Sequence, residues 1–320
     1  MSLRIVLMGT GEFALPTFRA LMESDRHSVV GVFTQPDREG RGHHRHVNKV
    51  KELALQNDIP VFQPPRVNRP EVLSQLRDLQ ADVFVVAAYG QILKPELLAI
   101  PRLGAFNLHG SLLPRHRGAA PVQYSVWQGD RETGVTMFLI EPALDSGPMV
   151  GQVVTEIRPT ETSGDLMTRL ADLSVSLTET VLDQLEGGTA VLTTQNEAAV
   201  TLAPKISKED GQIDWTQSAS RIDCHVRAMQ PWPKASATLC VDDRPPLRCI
   251  LLECRVPDGS DNVSGTPGDI TVRDRSLLVK TGSGILEVLK LQPEGRKPVD
   301  AMGFINGYGV KTGGRFTPQT

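Results

Sequence analysis

At 320 residues the chain is longer than one hydrophobic core usually serves, so two domains are expected. With 40% hydrophobic and 22% charged residues it has the composition of a soluble globular protein, and no apolar run approaches the ~20 residues of a membrane span, which excludes an integral helical membrane protein. The formal net charge of −3 does not by itself suggest a nucleic-acid partner, but it is unevenly distributed: residues 1–204 hold 18 Lys and Arg against 23 Asp and Glu, and residues 205–320 hold 16 against 14.

Residues 3–9 read as a strand that runs into Gly9-Thr10-Gly11-Glu12-Phe13-Ala14 and an apolar-periodic helix ending near Glu23. This is not the layout of a signal peptide, so a cytoplasmic protein is expected. The hexapeptide fits G-x-G-x-x-A between a strand and a helix, a dinucleotide-binding pattern. The second strand, Ser28–Thr34, argues against that reading. An acid for the ribose should close it, and Thr34-Gln35-Pro36 stands there instead. The glycines are read as serving a tight turn and close helix packing.

Gln35–Lys51 is basic, with Arg38, Arg41, Arg45, Lys49 and Lys51 against two acids, and it also carries His43, His44 and His46. Such a patch on an acidic body suits docking one RNA at a defined place; a solvated surface loop is the plainer alternative. The histidines lack flanking cysteines or an acid cluster, which argues against a metal site. A helix near Val47–Gln56, a strand at Val61-Phe62 and a helix from about Arg69 to Leu79 follow. Asp82–Ala88 is a strongly apolar strand suited to the middle of a parallel sheet. Leu103–Leu108, Thr136–Ile140 and Met149–Ile157 are further strands, and Ser163–Leu185 is a long amphipathic helix. The alternation of strands and helices gives an α/β class with a doubly wound, Rossmann-like first domain over residues 1–188.

Residues 189–215 are expected to link this domain to a second one over 216–312, since Ala203–Trp215 mixes proline and charge. One helix, Ser218–Met229, is followed by β-prone runs at Ala237–Val241, Leu247–Cys254, Ile270–Arg273, Leu277–Thr281 and Ile285–Leu291. Gly, Pro and Asp turns separate them, as in a small antiparallel barrel. The last dozen residues are expected to fray. Cys224, Cys240, Cys249 and Cys254 form no CxxC pair and are read as free thiols.

The chemistry centres on the end of one strand. Asn107 and His109 sit two apart, so both side chains emerge on one face, at the carboxyl end where open α/β sheets bind ligands. An amide donor beside an imidazole can hold a developing oxyanion, and the imidazole can move a proton. Asp145, beyond Thr136–Ile140, can orient the imidazole and favour its charged form. Two polar residues merely closing a strand is the alternative, and spacing alone does not choose.

The surrounding letters weigh on that choice. Asn107-Leu108-His109-Gly110-Ser111-Leu112-Leu113-Pro114, Arg117-Gly118-Ala119-Ala120-Pro121 and Leu144-Asp145-Ser146-Gly147 resemble the signature of the folate-dependent formyltransferases. Within these, the resemblance is closest to the methionyl-tRNA formyltransferases and runs from Arg4 to Phe304. It implies formyl transfer from 10-formyltetrahydrofolate to the α-amino group of methionine on initiator tRNA, for translation initiation, with no metal and no covalent enzyme intermediate. For that reaction Asn107 and a protonated His109 are the candidate oxyanion donors, and Asp145 is the candidate acceptor of the amine's proton. The folate is expected against Ser111, Leu112, Leu113 and Pro114, and, by resemblance, against the loop Tyr89, Gly90, Gln91 and Ile92. The second domain is implied to be an OB-like barrel that contributes to tRNA binding. Arg38, Arg41, Arg45 and Lys49 of the basic loop and Lys205 and Lys208 of the connector are the expected tRNA contacts, with Arg41 at the family's specificity arginine. The loop carries more histidine than the family pattern, and His116 stands where many relatives have an aromatic residue. A monomer is expected. Enzymes that formylate a smaller amine such as a nucleotide sugar, and formyl domains of larger folate enzymes, share the Asn-His-Asp set and remain open. An NAD(P) oxidoreductase rests only on Gly9-Thr10-Gly11, and an RNA-binding module would leave the three polar residues unexplained.

Overall fold

The computed structural model describes residues 2–37, 48–241, 244–257, 265–310 and 313–317. They form two compact units, one built from Met1–Pro121, Glu132–Glu156 and Met167–Pro204, the other from Val122–Arg131, Ile157–Leu166 and Lys205–Thr320.

In chain order the first part contains β1 (Arg4–Gly9), α1 (Leu15–Glu23), β2 (Ser28–Phe33), α2 (Lys49–Gln56), β3 (Val61–Phe62), α3 (Pro70–Asp78) and β4 (Val83–Ala87). Then come α4 (Pro95–Leu98), β5 (Ala105–His109), α5 (Pro121–Gln128), β6 (Glu132–Leu139), β7 (Met149–Glu156) and α6 (Ser163–Glu186). The sheet order is β3-β2-β1-β4-β5-β6-β7. The five strands up to β5 run parallel, and β6 and β7 are added antiparallel. The order reverses between β1 and β4, the place where doubly wound sheets open a crevice.

All five residues of β4 are buried, as a central parallel strand covered on both faces requires. The core joins Val6 and Met8 of β1 with Phe33, Phe84, Val86, Leu97 and Ala105. Each large side chain buried this way stabilises the fold by ~1.5–3 kcal/mol. Gly9 is set by packing: a Cβ there would lie 2.6 Å from the Ala87 carbonyl oxygen and 2.7 Å from the Phe18 ring. β6 begins at Glu132, earlier than the apolar letters at Thr136–Ile140 indicated, because its pairing with β7 extends to Glu132↔Glu156. The single turn α4 carries too few periodic positions to be read from sequence, and α5, as long as α2, has a weaker apolar periodicity.

The second unit contains α7 (Ala219–Ala228), β8 (Ala235–Cys240), β9 (Leu247–Arg255), β10 (Ile270–Arg273), β11 (Ser276–Lys280), β12 (Ile285–Pro293), β13 (Val299–Asp300), α8 (Ala301–Tyr308) and β14 (Arg315–Thr317). Its antiparallel path is β10-β11-β12-β9-β8-β14, with β13 beside β12. The ends of the path meet: Asp269 bridges Arg315, and the Ile270 N–H donates to the Gly314 carbonyl at 2.8 Å. The barrel is thus nearly closed, which leaves little open edge. The expectation of a frayed tail fails for residues 313–317. Phe316 is buried against β8 opposite Leu239, and this pairing, absent from any local pattern, makes the strand. The four cysteines are free. Among the described residues no helix is long and apolar enough to cross a membrane.

Candidate active site

β5 holds Asn107 opposite Val86 of β4 and Phe138 of β6, and holds His109 opposite Thr136. Asn107 is half-buried, and no side-chain hydrogen bond engages its amide among the described residues. His109 is buried, with Phe138 set edge-on at a centroid distance of 6.3 Å. Its Nε2 lies 2.8 Å from the His116 carbonyl oxygen. A carbonyl only accepts, so the proton of the neutral imidazole sits on Nε2, and Nδ1 turns its lone pair toward Asp145. Asp145 Oδ2 is 3.7 Å from that Nδ1. Burial lowers the His109 pKa below its ordinary 6.5, against the opposing pull of Asp145 and of the His116 carbonyl. In the neutral form the imidazole's only N–H is engaged by that carbonyl. The downward direction of this shift runs against the imidazolium donor expected from sequence, and the pull of Asp145 runs with that expectation.

Asp145 adopts the left-handed conformation, φ 45°, in the turn between β6 and β7. Its Oδ2 accepts the Gly118 N–H at 2.8 Å. Gly118 itself has φ 130°, and a Cβ there would lie 2.4 Å from the Ala203 carbonyl oxygen. Only glycine lets the two chain segments approach so closely. Residues 195–203 run along the loop 114–120: the Arg117 N–H donates to Thr201 O at 2.9 Å, and the Ala203 N–H to Arg117 O at 2.7 Å. Gln195 donates from Nε2 to the main-chain carbonyls of Asp145 and Gly147, each at 2.8 Å. Gln195 was not among the residues singled out from sequence, because nothing in its neighbourhood of small and polar letters marks it.

The Ser111–Pro114 turn is pinned from β6. The Thr136 hydroxyl donates to Ser111 O at 2.7 Å and accepts the Leu113 N–H at 3.0 Å, and Gln152 Nε2 reaches both Thr136 Oγ1 and Leu113 O. Ser111 Oγ is committed to Arg115 O at 2.7 Å and Leu113 is buried, which leaves Leu112 and Pro114 half-buried along the turn. Tyr89 is likewise inside. Its hydroxyl has no partner among the described residues, burial drives its pKa up, and its carbonyl accepts Gln35 Nε2 at 2.9 Å. Gln91 ties the loop to Val67 N and Pro64 O. Gly90 and Ile92 are the exposed members, and Ile92 is 84% exposed, an uncovered apolar surface at this end of the sheet.

Of the expected tRNA contacts, Arg38, Arg41 and Arg45 lie outside the described residues. Lys49 belongs to the first unit and pairs with Glu12; Lys205 and Lys208 are exposed in the second. One group of metal-ligand type among the described residues, His27, Asp183 and Glu186, has Asp183 already paired with Arg26.

Comparison with known proteins gives this arrangement a family. Residues 3–182 match the formyl transferase family and residues 205–309 match its C-terminal domain. The chain belongs to the formyl transferase family. Its fold is shared by HypX from Aquifex aeolicus, solved in complex with tetrahydrofolic acid, at 16% identity and a TM-score of 0.61 over 98% of this chain. That match covers 49% of HypX, so the chain spans about half the length of that protein. WlaRD, a sugar 3N-formyl transferase solved with dTDP and 5-N-formyl-THF, is similar over 93% of this chain and 100% of its own, at 14% identity and a TM-score of 0.66. An N-formyltransferase from Helicobacter canadensis, in complex with folinic acid and dTDP-3-aminofucose, is similar over 90% of this chain and 99% of its own, at 16% identity and a TM-score of 0.65. At these identities the likeness carries the fold.

Proposed function

We propose that the chain transfers the formyl group of 10-formyltetrahydrofolate to the α-amino group of methionine carried on initiator tRNA, as a cytoplasmic monomer serving translation initiation. The observation that carries the chemistry is the juxtaposition of an uncommitted Asn107 amide with the His109–Asp145 pair at the carboxyl end of β5. Folate as the donor draws support from family membership and from the folates bound in the similar structures. Residues 1–188 then carry the reaction, and residues 216–312, reached through 189–215, contribute to tRNA binding. Folate rests on Leu112, Pro114 and Ile92, with Ser111, Leu113, Tyr89, Gly90 and Gln91 shaping the wall behind. The tRNA partner draws support from the basic stretch 35–51 and the positive balance of residues 205–320. Arg41 is its foremost contact, since a guanidinium can hold phosphate or guanine through two hydrogen bonds.

The amine arrives as an ammonium and loses one proton before it can attack. Asp145 accepts it, directly or through a water, and His109 Nδ1, facing the same carboxylate, lets the pair retain it. The amine nitrogen then bonds to the formyl carbon and the carbonyl electrons move to oxygen. The Asn107 amide donates to this oxyanion; loss of one such donor typically lowers the rate ~10²–10³-fold. As the C=O re-forms, the bond to N10 of the folate breaks. One proton goes to N10 and the other to solvent.

The test is formyl transfer to Met-charged initiator tRNA, with Met-charged elongator tRNA as control. Transfer to the initiator alone is expected. The second reading, a nucleotide-sugar amine as acceptor, is favoured by the nearly full-length similarity to WlaRD and the Helicobacter canadensis protein. Transfer to such an amine and to neither tRNA would replace the first reading.

A further inference from the structure

The loop bearing Asp145 is held from a part of the chain that carries no expected site residue. Gln195 is 3% exposed, and all four hydrogen-bonding positions of its side-chain amide are used. Oε1 accepts from Arg117 Nε at 3.0 Å and Nη2 at 2.9 Å. Nε2 donates to Asp145 O and Gly147 O, each at 2.8 Å. The orientation is unambiguous: a guanidinium only donates and a carbonyl only accepts, so a flipped amide would oppose like with like at both ends. Arg117, 7% exposed, is in turn gripped by Glu197, with Nη1 at 3.2 Å and Nη2 at 2.7 Å from its two carboxylate oxygens. The residue after Arg117 supplies the N–H that holds the Asp145 carboxylate. Asp145 thus receives its main-chain restraint through Gln195 and its side-chain restraint through Gly118, both referred to Arg117. A non-glycine residue at φ 45° persists only where its surroundings over-determine it, and these bonds do so.

We propose that Gln195, clamped by Arg117, is the positioning residue that sets Asp145 against His109, a role that rests on the formyl-transfer reading of the same site. Glu197 is the outer end of the clamp and, 72% exposed, the least consequential member. This network differs from ordinary loop packing because it ends on the carboxylate that faces His109 Nδ1. Among the described residues the groups that act electrostatically on His109 are Asp145 and His116, the latter also supplying the carbonyl at Nε2.

Two variants test it. Gln195→Glu keeps an acceptor for Arg117, now as a charged partner, but sets an oxygen against two carbonyls, so the side facing Arg117 stays bonded while the hold on Asp145 is lost. Gln195→Met removes all four hydrogen bonds without adding charge. Misplacement of a reacting group by ~1 Å can lower a rate ~10²-fold. Both variants should lose about that factor in kcat, with KM for the folate donor within ~3-fold of the parent. Glu197→Gln should lose no more than ~3-fold. The second readout needs no substrate: the NMR titration of the His109 imidazole should move to lower pH in Gln195→Met, as Asp145 withdraws. Folded variants, judged by circular dichroism, with parental kcat and an unmoved His109 titration would overturn the proposal. If the parent itself transfers no formyl group but the titration moves, the positioning role stands and the reaction assigned to the site falls.

Discussion

Thr136→Val is the sharpest probe of how the site is held. Thr136 is fully buried opposite His109, and its hydroxyl joins Ser111 O, Leu113 N and Gln152 Nε2. Valine matches its volume, so no cavity opens. Gln152 keeps its bond to Leu113 O at 3.0 Å, but the Leu113 N–H loses its acceptor and Ser111 O loses this donor. An orphaned buried donor costs ~1–3 kcal/mol and each lost bond ~0.5–1.5 kcal/mol, so the turn should weaken by ~2–4 kcal/mol. Thr136→Ser retains the hydroxyl and gives up one methyl, about 1 kcal/mol. The assay must read the first unit by itself. Trp127, Trp215 and Trp232 all lie in the second, so tryptophan fluorescence would report the wrong body, and a single unfolding free energy is ill-defined for two units. Amide hydrogen exchange answers both points. Opening of the turn should rise ~30- to 10³-fold in the valine variant, at ~1.4 kcal/mol per decade, and less than ~10-fold in the serine variant. Equal protection of the Leu113 amide in the two variants would refute the assignment of the turn's order to the hydroxyl.

The remaining predictions concern chemistry, partner and pH. His109→Ala should reduce kcat by at least ~10² while tRNA affinity stays near parental, measured by single-turnover transfer and filter binding; near-normal turnover would remove His109 from the mechanism. Arg41→Ala should lower kcat/KM for charged initiator tRNA and leave folate binding unchanged, and an unaltered kcat/KM would detach the basic loop from the tRNA. Gly118→Ala should lose most soluble expression or transfer activity, because the new Cβ would lie 2.4 Å from Ala203 O at φ 130°; a parental melting temperature and rate would contradict the close approach. Burial holds both His109 and His225 below 6.5. Since their unfolded forms titrate near ~6.5, the unfolded chain binds protons there that the folded chain does not. Stability should therefore fall as the pH drops through ~6.5 and level off below the folded pKa values. His225→Gln should shallow that slope for the second unit, which holds His225 and all three tryptophans, in urea titrations read by tryptophan fluorescence, and an unchanged slope would show that His225 titrates alike in both states.

Whether a feature could be read in advance depended on the range of the forces that make it. The strands β1, β4 and β5 are runs of apolar, β-prone letters bounded by glycine, and a period of two puts Asn107 and His109 on one face. β14 has no such signature: Arg315-Phe316-Thr317 becomes a strand because β8 offers it a ladder and a core slot for Phe316. β6 gained Glu132–Val135 in the same way, through β7.

At the site the division is similar. Residue type and spacing offered an amide, an imidazole and a carboxylate without choosing between a reacting set and polar residues that close a strand, and the resemblance to the folate-dependent formyltransferases weighed on that choice. Which nitrogen of the neutral His109 ring carries the proton was decided by a carbonyl seven residues on, at His116, and the downward pull on its pKa comes from burial. Gln195, fifty residues beyond Asp145, enters only because the chain returns along residues 114–120. Local periodicity and turn chemistry made the α/β domain and the small antiparallel barrel legible in advance, and the motif resemblance favoured the candidate reacting groups. The tautomer, the downward shift of the His109 pKa and the clamp on Asp145 arise from tertiary contacts, because hydrogen bonds and desolvation depend on which distant segments meet.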